Sequence, residues 1–149
     1  MRLRKKLKTC ENHVMKNKRI ILDINLWISF LISKNLNKLD SLIEKGKITL
    51  LFSKESFEEF VDVAERPKFK RFFSQKDVEQ ILDLFDQFGE LVVIKSDVKF
   101  CRDEKDNFLL NLSIDGNADY LVTGDNDLLV LKKIEKTTIF NLTDFLNKM

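Results

Sequence analysis

The chain has 149 residues, 44% of them hydrophobic and 34% charged, with a net charge of +2. That is the size of one domain with one core, able to bury roughly two thirds of its unfolded surface. No run approaches the roughly 20 apolar residues of a membrane span, and no continuous apolar segment marks a secretory signal, so a cytoplasmic protein is expected.

Met1 to Lys18 carries seven basic residues against Glu11, a net +6, which leaves −4 on the remainder of a +2 chain. The leader reads as a basic, poorly ordered tail, since chain termini stay loose unless docked, with an RNA-binding arm as the other reading. Met15, directly before the first strand, resembles a natural start. The body from 19 to 149 lacks the overall basic footprint of a nucleic-acid binder, so any substrate contact there must be local.

Arg19-Ile-Ile-Leu-Asp23 is an apolar run of the kind buried on both faces of a parallel sheet. Leu26 to Ile32 turns helical, Leu36 to Glu44 offers a second helix, and Gly46 supplies its stop. Ile48 to Phe52 reads as strand two. Ser53 is a plausible N-cap for a helix with Phe57, Phe60, Val61 and Ala64 on one stripe, ended before Pro67. Lys76 to Phe88 is helical and closed by Gly89, and Leu91 to Ile94 reads as strand three.

Asn107 to Asp115 is a further helix stopped at Gly116. Tyr120 to Thr123 is strand four, Asp127 to Leu131 begins a helix, Thr138 to Phe140 is a short fifth strand, and Thr143 to Lys148 closes the chain as helix. Strands alternating with helices predict a three-layer α/β/α sandwich around a central parallel sheet of about five strands. Most of the 13 phenylalanines fall on helical stripes and fill the core, and Trp27 packs within its apolar run.

Cys10 and Cys101 form no CxxC pair and no zinc spacing, so they read as reduced, structural or incidental thiols. His13, the single histidine, lies in the leader, which leaves a serine or cysteine nucleophile without a base. The chain has no GxGxxG and no GxxxxGK[ST] and only four glycines, which argues against nucleotide binding.

The acidic residues carry the chemistry. Asp23 closes an apolar strand, Asp125 follows strand four by two residues, Asp106 opens a helix, and Glu59 lies on the helix after Ser53. In open parallel sheets, sites form beyond the carboxyl ends of the strands where strand order reverses. Carboxylates meeting there raise one another's pKa unless a dication neutralises them, which reads as a Mg²⁺ or Mn²⁺ site for phosphodiester hydrolysis. Asp106 alone could serve a helix dipole and Asp125 a turn or N-cap. On the helical wheel Glu58, Glu59 and Glu65 are equivalent.

Asp23-Ile-Asn25, Ser53-Lys-Glu-Ser-Phe-Glu-Glu59 leading to Arg66-Pro-Lys-Phe69, Asp103-Glu-Lys-Asp106-Asn107, and Ala118-Asp-Tyr-Leu-Val-Thr-Gly-Asp125-Asn-Asp-Leu-Leu129 together resemble the PIN-domain family. The nearest likeness is to its branch of bacterial toxins from toxin-antitoxin pairs, over about residue 19 to the C-terminus, as a single nuclease domain. The resemblance implies metal-dependent endoribonuclease activity at Asp23, Glu59, Asp106 and Asp125, leaving 3′-hydroxyl and 5′-phosphate ends. Glu59 is favoured by its spacing of seven from Arg66. Asn25 and Thr123 match supporting positions, and Asp103 and Asp127 match secondary acids that hold a water or a second ion. RNA as substrate, a cognate antitoxin over the acidic cleft and a homodimer are the implied partners. Ile24 departs from the family's usual threonine. The competing reading is a non-catalytic RNA- or protein-binding module on the same fold, which would tolerate loss of the acids.

Overall fold

The computed structural model describes residues 17–33, 41, 43, 45–72 and 74–148. The first sixteen residues of the basic leader, with Cys10, His13 and Met15, lie outside them, as does most of the helix expected over 36–44.

The elements in chain order are β1 (Lys18–Leu22), α1 (Ile24–Ser33), β2 (Ile48–Phe52), α2 (Lys54–Ala64), α3 (Pro67–Lys70), α4 (Gln75–Phe88), β3 (Gly89–Leu91), α5 (Glu104–Asp115), β4 (Tyr120–Val122), α6 (Asn126–Leu129), β5 (Lys133–Ile134), β6 (Thr137–Phe140) and α7 (Leu142–Lys148). Among the described residues the sheet has six strands in the order β3-β2-β1-β4-β6-β5. Every neighbouring pair is parallel except β5 with β6.

Period-two alternation along the strands builds the expected sandwich, because successive side chains point to opposite faces. Ile20 and Leu22 of β1, Leu50 of β2 and Val122 of β4 enter one core with Trp27, Phe60, Ile81, Phe85 and Phe145. Ile21, Leu51, Leu121 and Ile139 enter the other, under Leu109, Leu110, Leu112 and Leu128. Trp27 is packed as expected, edge-on to Phe85 at 4.9 Å between ring centroids. Ser53 caps α2 and shares reciprocal hydrogen bonds with Ser56. Pro67, unable to continue that helix, instead opens the short α3, where its missing N–H costs nothing. Gly46 turns the chain into β2 at φ +67°, a conformation that disfavours side chains.

Two strand expectations are corrected. Strand three pairs over Gly89–Leu91 instead of Leu91 to Ile94, because β2 offers partners only as far as Phe52 before Ser53 caps a helix. Gly89 is required there by space: a Cβ would meet the Phe85 carbonyl oxygen and the Phe52 ring, the latter at 2.6 Å. The sheet also gains antiparallel β5, joined to β6 by the two-residue turn Glu135-Lys136 with Glu135 at φ +49°. That turn lacks the Asn-Gly or Asp-Gly signature that marks a hairpin in sequence.

The long connection from residue 92 to 103 has no regular structure, yet it is laced to α5. Asn107, Asn111 and Asp115 stand four residues apart and therefore share one helix face. Asn107 takes the Cys101 N–H and gives to its carbonyl, Asn111 takes the Val98 N–H at 2.8 Å, and Asp115 takes the Lys95 and Ser96 amides and the Ser96 hydroxyl. This face fixes where α5 begins. Among the described residues no helix is long and apolar enough to cross a membrane.

Candidate functional site

Strand order reverses between β1 and β4, since the chain runs from β1 outward to β2 and β3 and later resumes on the other side. Leu22 is in register with Val122, so the residues that follow each strand emerge side by side. Asp23 donates its backbone N–H to the Val122 carbonyl at 3.0 Å. Thr123, wholly buried, donates its hydroxyl to Asp23 Oδ2 at 2.8 Å and accepts the Asp125 N–H at 3.1 Å. The second Asp23 oxygen accepts the Asn25 backbone N–H at 3.1 Å, so Asn25 supports this acid through its main chain.

Asp125 caps α6, its Oδ1 accepting the Asp127 N–H at 2.9 Å. On α5 the cap is Asp103, which accepts the Lys105 N–H, and this leaves Asp106 free of that duty. Asp106 lies in the first turn, is 5% exposed, and buries an Oδ2 that has no hydrogen-bond partner among the described residues. Carboxylate oxygens of Asp106, Asp125 and Asp127 lie within 4.8 Å of one another. Burial, a hydrogen bond its protonated form can make to Asp125, and the charges of Asp125, Asp103 and Asp23 push the Asp106 pKa up to about 6.

The compact trio therefore holds Asp106 and Asp125 with Asp127, while Asp23 borders them through Thr123 and through its field on Asp106. Asp127 is also 3.5 Å from Arg102. Asp23, Asn25, Glu59, Asp103, Asp106 and Asp125 all line one cleft of about 220 Å³. Of the three candidate glutamates, Glu59 faces this cleft, because it shares a helix stripe with Ser56 and Val63, which line it too. Glu58 turns towards Lys54 at 3.9 Å, and Glu65 is the C-cap of α2.

Glu59 is nevertheless engaged by Lys105 Nζ at 3.2 Å. Lys105 is a cleft residue that sequence reasoning overlooked. Its one signal was a cation in the first turn of a helix, opposed by the helix dipole. Arg66, Lys68 and Phe69 likewise line the cleft, from a motif whose role the sequence left open. Cys101 is a free thiol whose pKa is raised by burial and by Asp106, Asp127, Asp125 and Asp103, the reverse of what a reactive thiolate needs.

Among the described residues, an arrangement of hard carboxylate oxygens with one buried oxygen unpartnered fits a hard dication, and the cluster includes no thiolate or imidazole for a softer one. The PIN domain family model matches residues 19–127, from β1 through Asp127. The chain belongs to the PIN domain family. Its PIN domain has a nuclease-like fold, in a family whose members are generally nucleases and commonly bind divalent metal. The uncharacterized protein MJ1680 of Methanocaldococcus jannaschii is 28% identical over 121 residues, covering 79% of this chain and 77% of that one.

Proposed function

We propose that this PIN domain is a Mg²⁺- or Mn²⁺-dependent endoribonuclease whose site comprises Asp23, Glu59, Asp106 and Asp125, with Asp127 and Asp103 as secondary acids. The observation that carries the reading is Asp106: a carboxyl with one oxygen unpartnered among the described residues, its pKa pushed up to about 6 by burial first and by neighbouring acids second. Such a group serves no capping or core-packing purpose, and a dication is the simplest neutraliser of the set. Asp106 and Asp125 would hold it with help from Asp127, and Asp23 and Glu59 border it in the same cleft.

When bound, the ion activates a water and stabilises charge on the scissile phosphate and leaving oxygen. The protein's own part is placement. Thr123 locks the Asp23 rotamer and the start of the Asp125 loop in one hydrogen-bonded unit. Lys105 restrains Glu59 at the cleft wall. Products with 3′-hydroxyl and 5′-phosphate ends are expected.

The toxin assignment, a cognate antitoxin over the acidic cleft and homodimer formation are supported by the motif resemblance, and a cytoplasmic location is the expectation from the apolar patterning of the sequence. The deciding experiment is cleavage of a panel of RNAs with Mg²⁺, Mn²⁺ and chelator beside Asp23→Asn. Metal-dependent cleavage lost in the variant supports the reading, and equal activity of both proteins overturns it. Co-expression with the product of the adjacent open reading frame, scored by inhibition of that cleavage, tests the antitoxin.

A further inference from the structure

The cleft has an electrostatic problem that its acids cannot solve. A polyanion approaching a body of net charge −4 and a wall of carboxylates is repelled unless cations are concentrated beside the cleft. Among the described residues, one basic run along the cleft wall supplies several together. Arg66-Pro-Lys-Phe-Lys-Arg-Phe72 carries four positive charges and no acid. It also forms part of the cleft wall, through Arg66, Lys68 and Phe69.

Its build separates anchor from contact. Pro67 opens α3, and Phe69 packs against the core on the α1, α2 and α4 face of the sheet, which fixes the segment. Arg66, Lys68, Lys70 and Arg71 stay exposed. The Arg66 pairing with Asp62, at 3.4 Å between exposed side chains, is of the weak surface kind that a phosphate can displace. Phe72 is 45% exposed, with the Arg71 guanidinium 5.0 Å from its ring centroid. The guanidinium lies over the ring, and this half-exposed ring and guanidinium together offer a stacking surface to an unpaired base, whereas a duplex hides its base faces.

We propose that residues 66 to 72 form the substrate arm of the cleft, binding a single-stranded nucleic acid by phosphate contacts from Arg66, Lys68, Lys70 and Arg71 and by stacking of a base on Phe72. This rests on the nuclease reading for its RNA substrate. The arm leads the strand past Phe69 to the acids.

The test uses the full chain in chelator, with binding of a fluorescent 15-nucleotide single-stranded RNA, its DNA counterpart and an RNA duplex followed by anisotropy. Lys68→Ala/Lys70→Ala/Arg71→Ala should weaken single-strand binding at least about tenfold and make the salt dependence shallower by about two in log–log slope. Phe72→Ala should weaken it about fivefold or more with the slope unchanged, and Phe72→Trp should restore it. Thermal melting checks that each variant is folded. Wild-type affinity in both the triple variant and Phe72→Ala overturns the proposal. So does equal binding of duplex and single strand, or competition by poly-L-glutamate as effective as by RNA, which would make the arm a docking surface for an acidic protein. Parity of RNA and DNA leaves the arm standing and moves sugar selection elsewhere in the cleft. Cleavage with Mg²⁺ or Mn²⁺ is scored separately: arm-dependent binding without cleavage sinks the nuclease reading alone, and cleavage with an arm-independent affinity sinks the arm alone.

Discussion

Thr123 donates a hydrogen bond from its hydroxyl to Asp23 Oδ2 while accepting the Asp125 N–H, so one buried side chain joins the ends of β1 and β4 across a sequence separation of 100 residues. A hydroxyl can do this because it donates and accepts at once. Thr123→Val keeps the shape and removes both bonds. It should cost about 1–3 kcal/mol in chemical denaturation and lower Mg²⁺ affinity about 10- to 100-fold. Thr123→Ser should keep most of both. Metal titration of the thermal midpoint reads the second effect.

Asp106 should make the metal-free protein pH-sensitive. Its folded pKa, about 6, lies above the ordinary carboxyl value. The protonated form is therefore favoured in the folded state: the group stabilises fully below about pH 4, and that contribution is lost as pH rises through about 6. The loss should amount to about 1–3 kcal/mol in chelator. Asp106→Asn should remove this slope and leave the variant more stable than the parent at pH 7. Asp115 is held below the usual carboxylate range, since hydrogen bonds from Ser96 and Lys95 outweigh its partial burial. It acts in the opposite direction at lower pH and cancels in the comparison.

Asp125 has two separable duties. Asparagine caps helices as well as aspartate does, so Asp125→Asn should fold like the parent and lose cleavage. Asp125→Ala should lose cleavage and, in addition, about 1 kcal/mol of stability from the missing cap on α6. Equal stability of the two variants would show that the Asp127 amide does not need this oxygen.

Lys105 competes with any cation for Glu59. Lys105→Ala should raise divalent affinity by about fivefold at most, the scale of an exposed ion pair. Isothermal titration with Mn²⁺ would detect it. Unchanged affinity would mean that Glu59 takes no part in holding the ion.

Gly89, which does not line the cleft, offers a control. Gly89→Ala drives a methyl into the Phe85 carbonyl and the Phe52 ring, and should cost about 1–3 kcal/mol in urea denaturation with Mg²⁺ affinity unchanged.

The alternation of strands and helices was legible in the chain because period-two and period-3.6 apolar patterns are local, as were the Ser53 cap and the breaks at Pro67 and Gly89. Strand limits were not, since β3 ends where its neighbour stops offering partners, and β5 exists only because β6 lies beside it. The same division holds at the cleft. An acid closing an apolar run at Asp23 and an acid just beyond strand four at Asp125 could be read from the sequence alone. That Asp127 joins Asp106 and Asp125 depends on how α5 packs on β4, that Thr123 bridges the two strand ends depends on β1 lying next to β4, and that Lys105 holds Glu59 depends on the order β2-β1-β4. Charge and hydrogen bonding act over a few ångströms in space, and no pattern along the chain records which residues a parallel crossover brings that close.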